Sequence, residues 1–328
     1  MPQPSSQQTH VNAMLTNISV AYMQGADAFI ADKVFPMVPV QKQSARYFVY
    51  KKEDWFRDEA ELRAPSTESA GGGYEIDNTP NYYCNVYAYH KDLDDQTRNN
   101  TDNPLDADRD ATEFVSSKLL LRRELAFMNT YFKTGVWGTD ITGITTGVPT
   151  SSQALGWDQT GADPISDISD AQLLMLGTTG KKANTLTLGP QVFAALKQCP
   201  AILERIKYTQ RGIITTDLLA ALFEVERVLI AYGIQNTAAK GQTANMSFIY
   251  GKNALLSFSE KAPGLQKASA GYVFTWTGYA GAGAYGNATY NIPTPLLGRN
   301  SIRIETEMAF DMKVVAKDLG IFYTGIVS

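Results

Sequence analysis

The stretch NPLDADRDATEFVSSKLLLRRELAFMNTYFKTG, residues 103–135, is the most informative part of this 328-residue chain. Pro104 suits the first position of a helix, with Asn103 or Asp102 as its cap. The negative charges of the aspartates that follow interact favourably with the positive end of the helix dipole. One face then repeats at spacings of three and four residues, through Ala111, Phe114, Lys118, Leu121, Leu125, Met128 and Phe132. The spacing predicts a helix over residues 104–134, roughly 45 Å long and ended by Gly135 in a left-handed conformation.

The composition describes a foldable and mildly acidic chain. It has 29 Lys+Arg and 33 Asp+Glu, so the formal net charge is 29 − 33 = −4. Charged residues make up only 19% and aromatic residues 11% of the sequence, whereas about 25% charged residues is usual. Much of the surface is therefore uncharged, as expected if other chains cover it. The negative balance argues against a general nucleic-acid coat, because such proteins carry an excess of Lys and Arg.

Several classes of protein are excluded by simple patterns. The N-terminus has no basic start followed by an apolar run, which argues against a secretory signal. No window approaches the ~18 apolar residues of a transmembrane helix. Cys84 and Cys199 are the only cysteines, and they are too few for a disulfide framework. We therefore expect synthesis in the cytoplasm and no membrane partner.

The N-terminal region up to residue 45 is predicted to be extended. A polar lead is followed by residues 34–40, where Pro36 and Pro39 forbid a helix. The apolar residues of this segment, including Phe35, need a surface to lie on. That surface is either the core of the same subunit or a neighbouring subunit, and the segment alone does not distinguish the two.

A long excursion follows. The runs 45–50 and 82–89 alternate like strands, and the residues between them are charged and glycine-rich, with Trp55 and Phe56 near the start. Ordinary hairpin loops have about 2–5 residues. An excursion of this length is therefore a functional loop or a disordered one.

The rest of the chain predicts a mixed α/β domain and a final group of strands. Residues 135–170 are rich in Thr, Gly, Ser and Asp and are interpreted as loops. Helices are predicted over residues 190–197, 200–208 and 216–223. Strands are predicted over residues 185–188, 227–232, 246–250, 254–258, 272–277, 301–309, 311–316 and 319–327.

Catalytic signals are weak. His10 and His90 are the only histidines, so a triad or a zinc site has almost no histidine to use. The glycine pattern at 281–286 leads to prolines instead of opening a helix, which argues against a dinucleotide site. The aspartates at 106–110 lack the glycine and the closing Glu of a calcium loop. We expect no enzymatic activity, no cofactor and no metal site.

The order of these features resembles the major capsid proteins of tailed bacteriophages, which share the Hong Kong 97-type fold. Local sequences strengthen the resemblance: ADKVFP at 31–36, YFVY at 47–50, FRDEA at 56–60, RDAT at 109–112 and DLLA at 217–220. The resemblance implies an α+β chain with an N-terminal arm (1–45), an extended β loop (46–90), a peripheral domain (91–174 and 296–328) with a spine helix (104–134), and an α/β axial domain (175–295).

The resemblance also implies a function. Pentamers and hexamers of such a chain self-assemble into an icosahedral shell that encloses double-stranded DNA with only weak, non-specific contact. The implied partners are a separate scaffolding protein, a portal and, in some shells, a decoration protein. Candidates for intersubunit contact are Phe35, Pro36, Trp55, Phe56, Arg57, Asp58, Glu59 and Arg63. The first competing interpretation is the shell protein of an encapsulin-like cellular compartment, and the second is an α/β enzyme.

Overall fold

The computed structural model describes residues 28–99, 106–207, 214–264, 266–280, 285, 287–294 and 301–328. The strands are β1 (Met37–Val40), β2 (Ser44–Arg46), β3 (Val49–Tyr50), β4 (Ile76–Asp77), β5 (Asn81–Tyr83), β6 (Asn85–Leu93), β7 (Thr139–Ile144), β8 (Gln153–Leu155), β9 (Thr185–Leu188), β10 (Arg227–Ile230), β11 (Ile234–Asn236), β12 (Met246–Phe248), β13 (Ala254–Ser257), β14 (Gly271–Trp276), β15 (Ala288–Pro293), β16 (Ile302–Val314) and β17 (Gly320–Thr324). The helices are α1 (Lys52–Trp55), α2 (Asp95–Asn99), α3 (Ala107–Tyr131), α4 (Pro164–Thr179), α5 (Pro190–Leu196), α6 (Pro200–Ile206), α7 (Thr216–Leu222) and α8 (Thr277–Ala280), with a 3₁₀ turn at Lys317–Leu319.

Two sheets organise the described part of the chain. The first has five strands in the order β1-β14-β16-β15, with β6 also paired to β16. The second has six strands in the order β10-β9-β13-β17-β7-β8. Both sheets are mixed, since β1 runs parallel to β14, and β17 runs parallel to β7 but antiparallel to β13. Of the helices in these residues, none combines the length and the apolar character needed to cross a membrane.

The predicted spine helix is present as α3, with 25 residues. Asp106 caps it, because its carboxylate accepts from the backbone N–H groups of Asp108 and Arg109 at 3.1 and 3.2 Å. Residues 102–104, where the prediction placed the start and the cap, lie outside the described residues. The helix ends at Tyr131, and Gly135 adopts a left-handed φ of +78° in the turn that follows.

The buried face of α3 differs from the predicted one. Its buried positions are Ala111, Thr112, Val115, Ser116, Leu119, Leu120, Arg123, Glu124, Phe127 and Tyr131. Phe114, which belongs to the stripe of residues noted from the sequence, is 42% exposed. Two neighbouring stripes of α3 share the spacing of three and four residues, and the contact with β16 selects one of them. The helix itself is confirmed, and its contact with β16 determines which stripe is buried.

The interpretation of residues 135–170 as loops was wrong. This region contains β7, β8 and the first turns of α4. Asp163 caps α4 by accepting from the backbone N–H of Ile165 at 3.1 Å, and Pro164 occupies the first turn. The helix ends at Gly180 with φ +66°. The cap signal at 163–164 was visible in the sequence, but the two strands are short and pair with distant partners.

Most of the remaining predicted elements are present, whereas β11, β15 and α8 were not predicted. The strand over 185–188 coincides with β9, and the three predicted helices are α5, α6 and α7. The predicted strands 301–309 and 311–316 form one continuous strand, β16, which packs on α3. The last strand, β17, lies between β13 and β7 in the six-stranded sheet. It thus joins segments that were assigned to both domains, so the boundary at 174/175 stays a prediction.

Candidate functional site

The segment that ends the predicted arm lies inside its own subunit. Phe35 is only 2% exposed, and its ring centroid lies 4.7 Å from that of Tyr131 and 5.9 Å from that of Phe127. Pro36 is partly buried, and its carbonyl accepts from Val273 N–H at 3.1 Å where β1 meets β14. The structure therefore favours the interpretation that placed this segment on the subunit's own core. Phe35 is withdrawn as a contact candidate because no neighbour can reach its ring in this conformation.

A buried carboxylate that was not predicted from the sequence holds the start of that segment. Glu124 of α3 is fully buried, and its two oxygens accept from the backbone N–H groups of Ile30 and Ala31 at 3.0 Å each. The Tyr250 hydroxyl also donates to Glu124 at 2.6 Å. Burial raises the pKa of Glu124, and these three hydrogen bonds oppose that shift. The arm junction is thereby tied to the spine helix and to the chain beyond β12.

The predicted extended loop leaves the five-stranded sheet through a small aromatic core. Tyr82 stacks on Phe274 with ring centroids 4.5 Å apart, and Tyr47 lies 5.4 Å from the same ring. Buried Cys84 completes the contact, and burial raises the pKa of its thiol to about 12. Beyond this base the ribbons β2–β5 and β3–β4 carry the chain outward. The part of the excursion next to this base is therefore ordered as two short ribbons, β2–β5 and β3–β4.

An aromatic cluster lies where the ribbons end. Trp55, at the end of α1, is 56% exposed, and its ring centroid lies 6.1 Å from that of Tyr50 and 6.0 Å from that of Tyr74. The Asp54 carboxylate accepts from Glu75 N–H at 2.8 Å and so fixes α1 against the returning strand. We call Tyr50, Trp55 and Tyr74 the loop aromatic cluster. The sequence indicated Trp55 but not its two partners, because Tyr74 follows a glycine run that carries no packing signal.

The charged candidates follow Trp55 in the sequence and are exposed on the loop. Arg57 pairs with Glu59 at 3.0 Å and lies 3.9 Å from Asp54. Arg63 donates to the Thr67 carbonyl at 2.5 Å. These pairs lie within the loop and are exposed, so each contributes little to the stability of the subunit. Asp58 is exposed next to them.

The end of the ribbons that carries the loop aromatic cluster also touches the body of its own subunit. Phe56 is 67% exposed, yet its ring lies against the end of α4, where a Cβ on Gly180 would be 3.2 Å from Phe56 Cζ. Lys52 forms an ion pair with Asp318. The structure thus brings Trp55, Phe56, Arg57, Asp58 and Glu59 together on one projection, while Phe35 lies in the core and Pro36 beside it.

Two further apolar surfaces were not singled out from the sequence. Ile234 and Phe248 face each other across the β11–β12 hairpin, and both are about half exposed. Leu173, Leu174 and Leu176 are exposed on α4. Scattered exposed apolar residues are ordinary, but groups of this kind are typical of interaction surfaces.

The described residues offer little catalytic chemistry. They contain no group of three or more His, Cys, Asp or Glu side chains placed to hold a metal ion. Cys199 is buried like Cys84, and His90 is exposed on β6. Most of the glycine pattern at 281–286 lies outside the described residues.

The sequence is similar to those of two phage capsid proteins. No family model matches the chain. The major capsid protein of Burkholderia phage BcepMu is 24% identical over 254 residues, or 76% of each chain. The major capsid protein of Pseudomonas phage JBD67 is 25% identical over 325 residues, or 97% of each chain.

Solved structures cover nearly the whole chain. A phage-related protein from Bordetella bronchiseptica superimposes with a TM-score of 0.71 at 17% identity, over 97% of this chain and 98% of that one. The capsid protein of cyanophage P-SCSP1u superimposes with a TM-score of 0.55 at 11% identity, over 98% and 90%. The chain has the Hong Kong 97-type capsid fold. The predicted resemblance to phage major capsid proteins is confirmed.

The capsid fold is also found in cellular compartments. The encapsulin of Synechococcus elongatus superimposes with a TM-score of 0.54 at 12% identity, over 90% of this chain and 85% of that one. This score is close to that of the cyanophage capsid protein, so the fold alone does not separate the two classes of shell. The curated relatives do separate them, because both are phage major capsid proteins.

Proposed function

We propose that this chain is the major capsid protein of a tailed phage and that pentamers and hexamers of it form an icosahedral shell around double-stranded DNA. The observation that carries the proposal is the loop aromatic cluster, exposed on an ordered projection of a chain that has the capsid fold. Aromatic residues are enriched at the cores of protein interfaces, where they leave water on association. An exposed cluster of this kind has no evident use in an isolated subunit.

The proposal assigns the parts of the chain by their position. Residues 1–45 form the arm, 46–90 the extended loop, 91–174 and 296–328 the peripheral domain, and 175–295 the axial domain. Trp55 and Phe56 anchor the loop on a neighbouring subunit, and Arg57, Asp58, Glu59 and Arg63 form the polar rim of that contact. Pro36, which is partly buried, contributes its exposed part to contacts of the arm. Intersubunit pairs of these exposed charges would set the register of the contact more than its strength.

Other proteins and the packaged DNA are the partners of such a shell. A scaffolding protein, a portal and a decoration protein are separate chains in this scheme, and the chain itself has no enzymatic role. The net charge of −4 supports containment of DNA by enclosure, with only weak direct contact. Synthesis in the host cytoplasm precedes incorporation into the virion.

A compartment shell is the second candidate, supported by the encapsulin superposition. The contents of the assembled particle separate the candidates. Nuclease-resistant DNA in particles purified from an infected host supports the phage shell, whereas a co-purifying enzyme in particles free of nucleic acid supports the compartment.

The substitution Trp55→Ala tests the proposed loop contact. A central aromatic anchor contributes about 2 kcal/mol to an interface, which corresponds to an approximately 30-fold weaker association constant per contact. We expect W55A to raise the concentration needed for shell formation, measured by electron microscopy and sedimentation velocity. The conservative variant W55F should assemble much more like the wild type because it keeps an aromatic ring.

Circular dichroism of the unassembled subunit provides the control. Because Trp55 is more than half exposed, W55A should leave the spectrum and the unfolding midpoint nearly unchanged. Loss of the subunit fold would show that Trp55 serves its own chain. Normal assembly of W55A would remove the loop from the proposed contact.

A further inference from the structure

The solvent-exposed side of the spine helix α3 carries a group of basic side chains. Lys118 and Arg122 are exposed on α3, one turn apart. Lys91 reaches the same region from β6, because its Nζ lies 5.7 Å from the Phe114 ring centroid and Lys118 Nζ lies 5.2 Å from it. We call Lys91, Lys118 and Arg122 the basic strip.

Aromatic rings are interleaved with these cations. Arg122 lies over the Tyr87 ring, with Cζ 5.0 Å from the ring centroid, and the rings of Tyr89 and Phe114 are 6.0 Å apart. Tyr89 and Phe114 are both exposed by about two fifths. Contact with a ring restrains a long basic side chain without neutralising its charge. The strip therefore presents partly ordered positive charge to its surroundings.

No acidic side chain balances the strip within the described residues. None of its three cations forms an ion pair there, whereas neighbouring Arg109 and Arg303 pair with Glu113 and Asp92. Between residues 114 and 131 the only acidic residue of α3 is Glu124, which is buried against the arm junction.

The sheet beside α3 separates charge in the same sense. On β6 the side chains that alternate toward α3 are those of Tyr87, Tyr89, Lys91 and Leu93, and their partners on β16 are uncharged. Asp92, Glu305 and Glu307 occupy the alternate positions and hence the opposite face, together with Arg303, which pairs with Asp92. Unpaired positive charge thus lies on the α3 side of this part of the sheet, and the acidic side chains lie on the other side.

We propose that the basic strip binds the phosphate backbone of double-stranded DNA, an inference that rests on the proposed shell function and specifies its DNA-facing surface. Lys118 and Arg122 lie about 6 Å apart along the helix axis, and duplex DNA carries about one charge per 1.7 Å. Adjacent phosphates are therefore within reach of neighbouring cations. Three such contacts give weak and sequence-independent binding, as a shell that must later release its contents requires.

Charge favours this occupant over a segment of the chain itself. Residues 1–27 contain one acidic residue, Asp27, and no Lys or Arg, so they offer little that is complementary to three cations. An acidic protein partner is the other macromolecule that could use the strip. The experiment treats it as a competing outcome.

The double variant K118Q/R122Q tests the proposal in the full-length, unassembled subunit. The control is K240Q/K261Q, which removes two exposed lysines elsewhere and reaches the same net charge, −4 − 2 = −6. Binding of a fluorescent 30-base-pair duplex is measured by anisotropy across a salt series. Each phosphate contact contributes about 0.9 to the slope of log K against log salt. We expect the test variant to lose about 1.8 from that slope and to bind at least about tenfold more weakly at low salt, while the control stays near the wild type.

Shell formation is scored by electron microscopy in the same preparations. Weakened DNA binding by K118Q/R122Q with normal shells supports the proposal. An unchanged salt slope overturns it, and so does unchanged DNA binding together with failed assembly, which would assign the strip to a protein partner. If the wild type forms no shells at all, the proposed shell function fails instead. The salt slopes of DNA binding by the wild type and the two variants still test the basic strip.

Discussion

Replacing Glu124 with Gln should destabilise the subunit far more than the same change on the exposed part of the same helix. Glu124 is completely buried and receives three hydrogen bonds, from Ile30 N–H, Ala31 N–H and the Tyr250 hydroxyl. Glutamine keeps one acceptor oxygen and turns an NH₂ group toward a donor. At least one buried donor is then left without an acceptor.

The magnitude follows from these contacts. A buried donor without an acceptor costs about 1–3 kcal/mol, and the surviving bonds lose the strength that the negative charge gave them. Removing the charge also removes its desolvation penalty, which offsets part of the loss. We therefore expect E124Q to lower the free energy of unfolding by about 2–3 kcal/mol. E113Q is the matched control, because Glu113 forms a solvent-exposed i, i+4 pair with Arg109 that contributes little to stability.

Urea unfolding of the unassembled subunit, followed by tryptophan fluorescence and circular dichroism, measures the difference. A double-mutant cycle with Tyr250→Phe isolates the hydroxyl contact and should give a coupling of about 1.5–3 kcal/mol, as for hydrogen bonds to charged groups. If E124Q were no more destabilising than E113Q, the buried carboxylate would not hold the arm junction, and the reasoning would be refuted.

The difference in stability between the wild type and E124Q should also depend on pH. Burial raises the pKa of Glu124 in the folded subunit, so the folded state binds this proton more tightly than the unfolded chain. The stability linked to Glu124 is full below its unfolded pKa of about 4.3 and is lost as the pH rises through the folded value. The difference between the unfolding free energies of the wild type and E124Q should therefore widen as the pH is lowered from neutral toward the unfolded pKa of Glu124. A difference that narrows would contradict the direction of the shift.

Two further outcomes are expected. Gly320→Ala should cost about 1–3 kcal/mol because the new methyl group would overlap the buried Trp137 ring, whereas Gly177→Ala, with open space around it inside α4, should stabilise by about 0.5–1 kcal/mol; both are read from urea midpoints, and equal effects would discount the Trp137 contact. Cys84 should resist iodoacetamide at pH 8 in the folded subunit, because a thiol pKa of about 12 leaves about a thousandth of the thiolate of an ordinary cysteine; mass spectrometry should find rapid labelling only after unfolding, and fast labelling of the native subunit would show that the base of the loop opens readily.

Much of the secondary structure could be predicted because its signals are local. The spine helix is specified by aspartates at its start and by apolar spacing along it, and β9 by the alternation of Thr and Leu over residues 185–188. The loop excursion could be recognised because two strand-like runs enclose a long charged segment. In each case the interactions that form the element lie within a few residues of one another, so the order of the letters contains the information.

The tertiary structure decided which surfaces meet. Strand β7 pairs with β17, about 180 residues later, and nothing local marks it as a strand. Phe35 could have served a neighbour or its own core, and the rings of Phe127 and Tyr131 resolve that choice. The inward face of α3 likewise depends on β16, because two stripes of the helix have the same period. The sequence alone thus determined the α+β class, the order of elements and the capsid-like arrangement, while contacts between distant segments determined which side chains are buried and which remain free to meet another molecule.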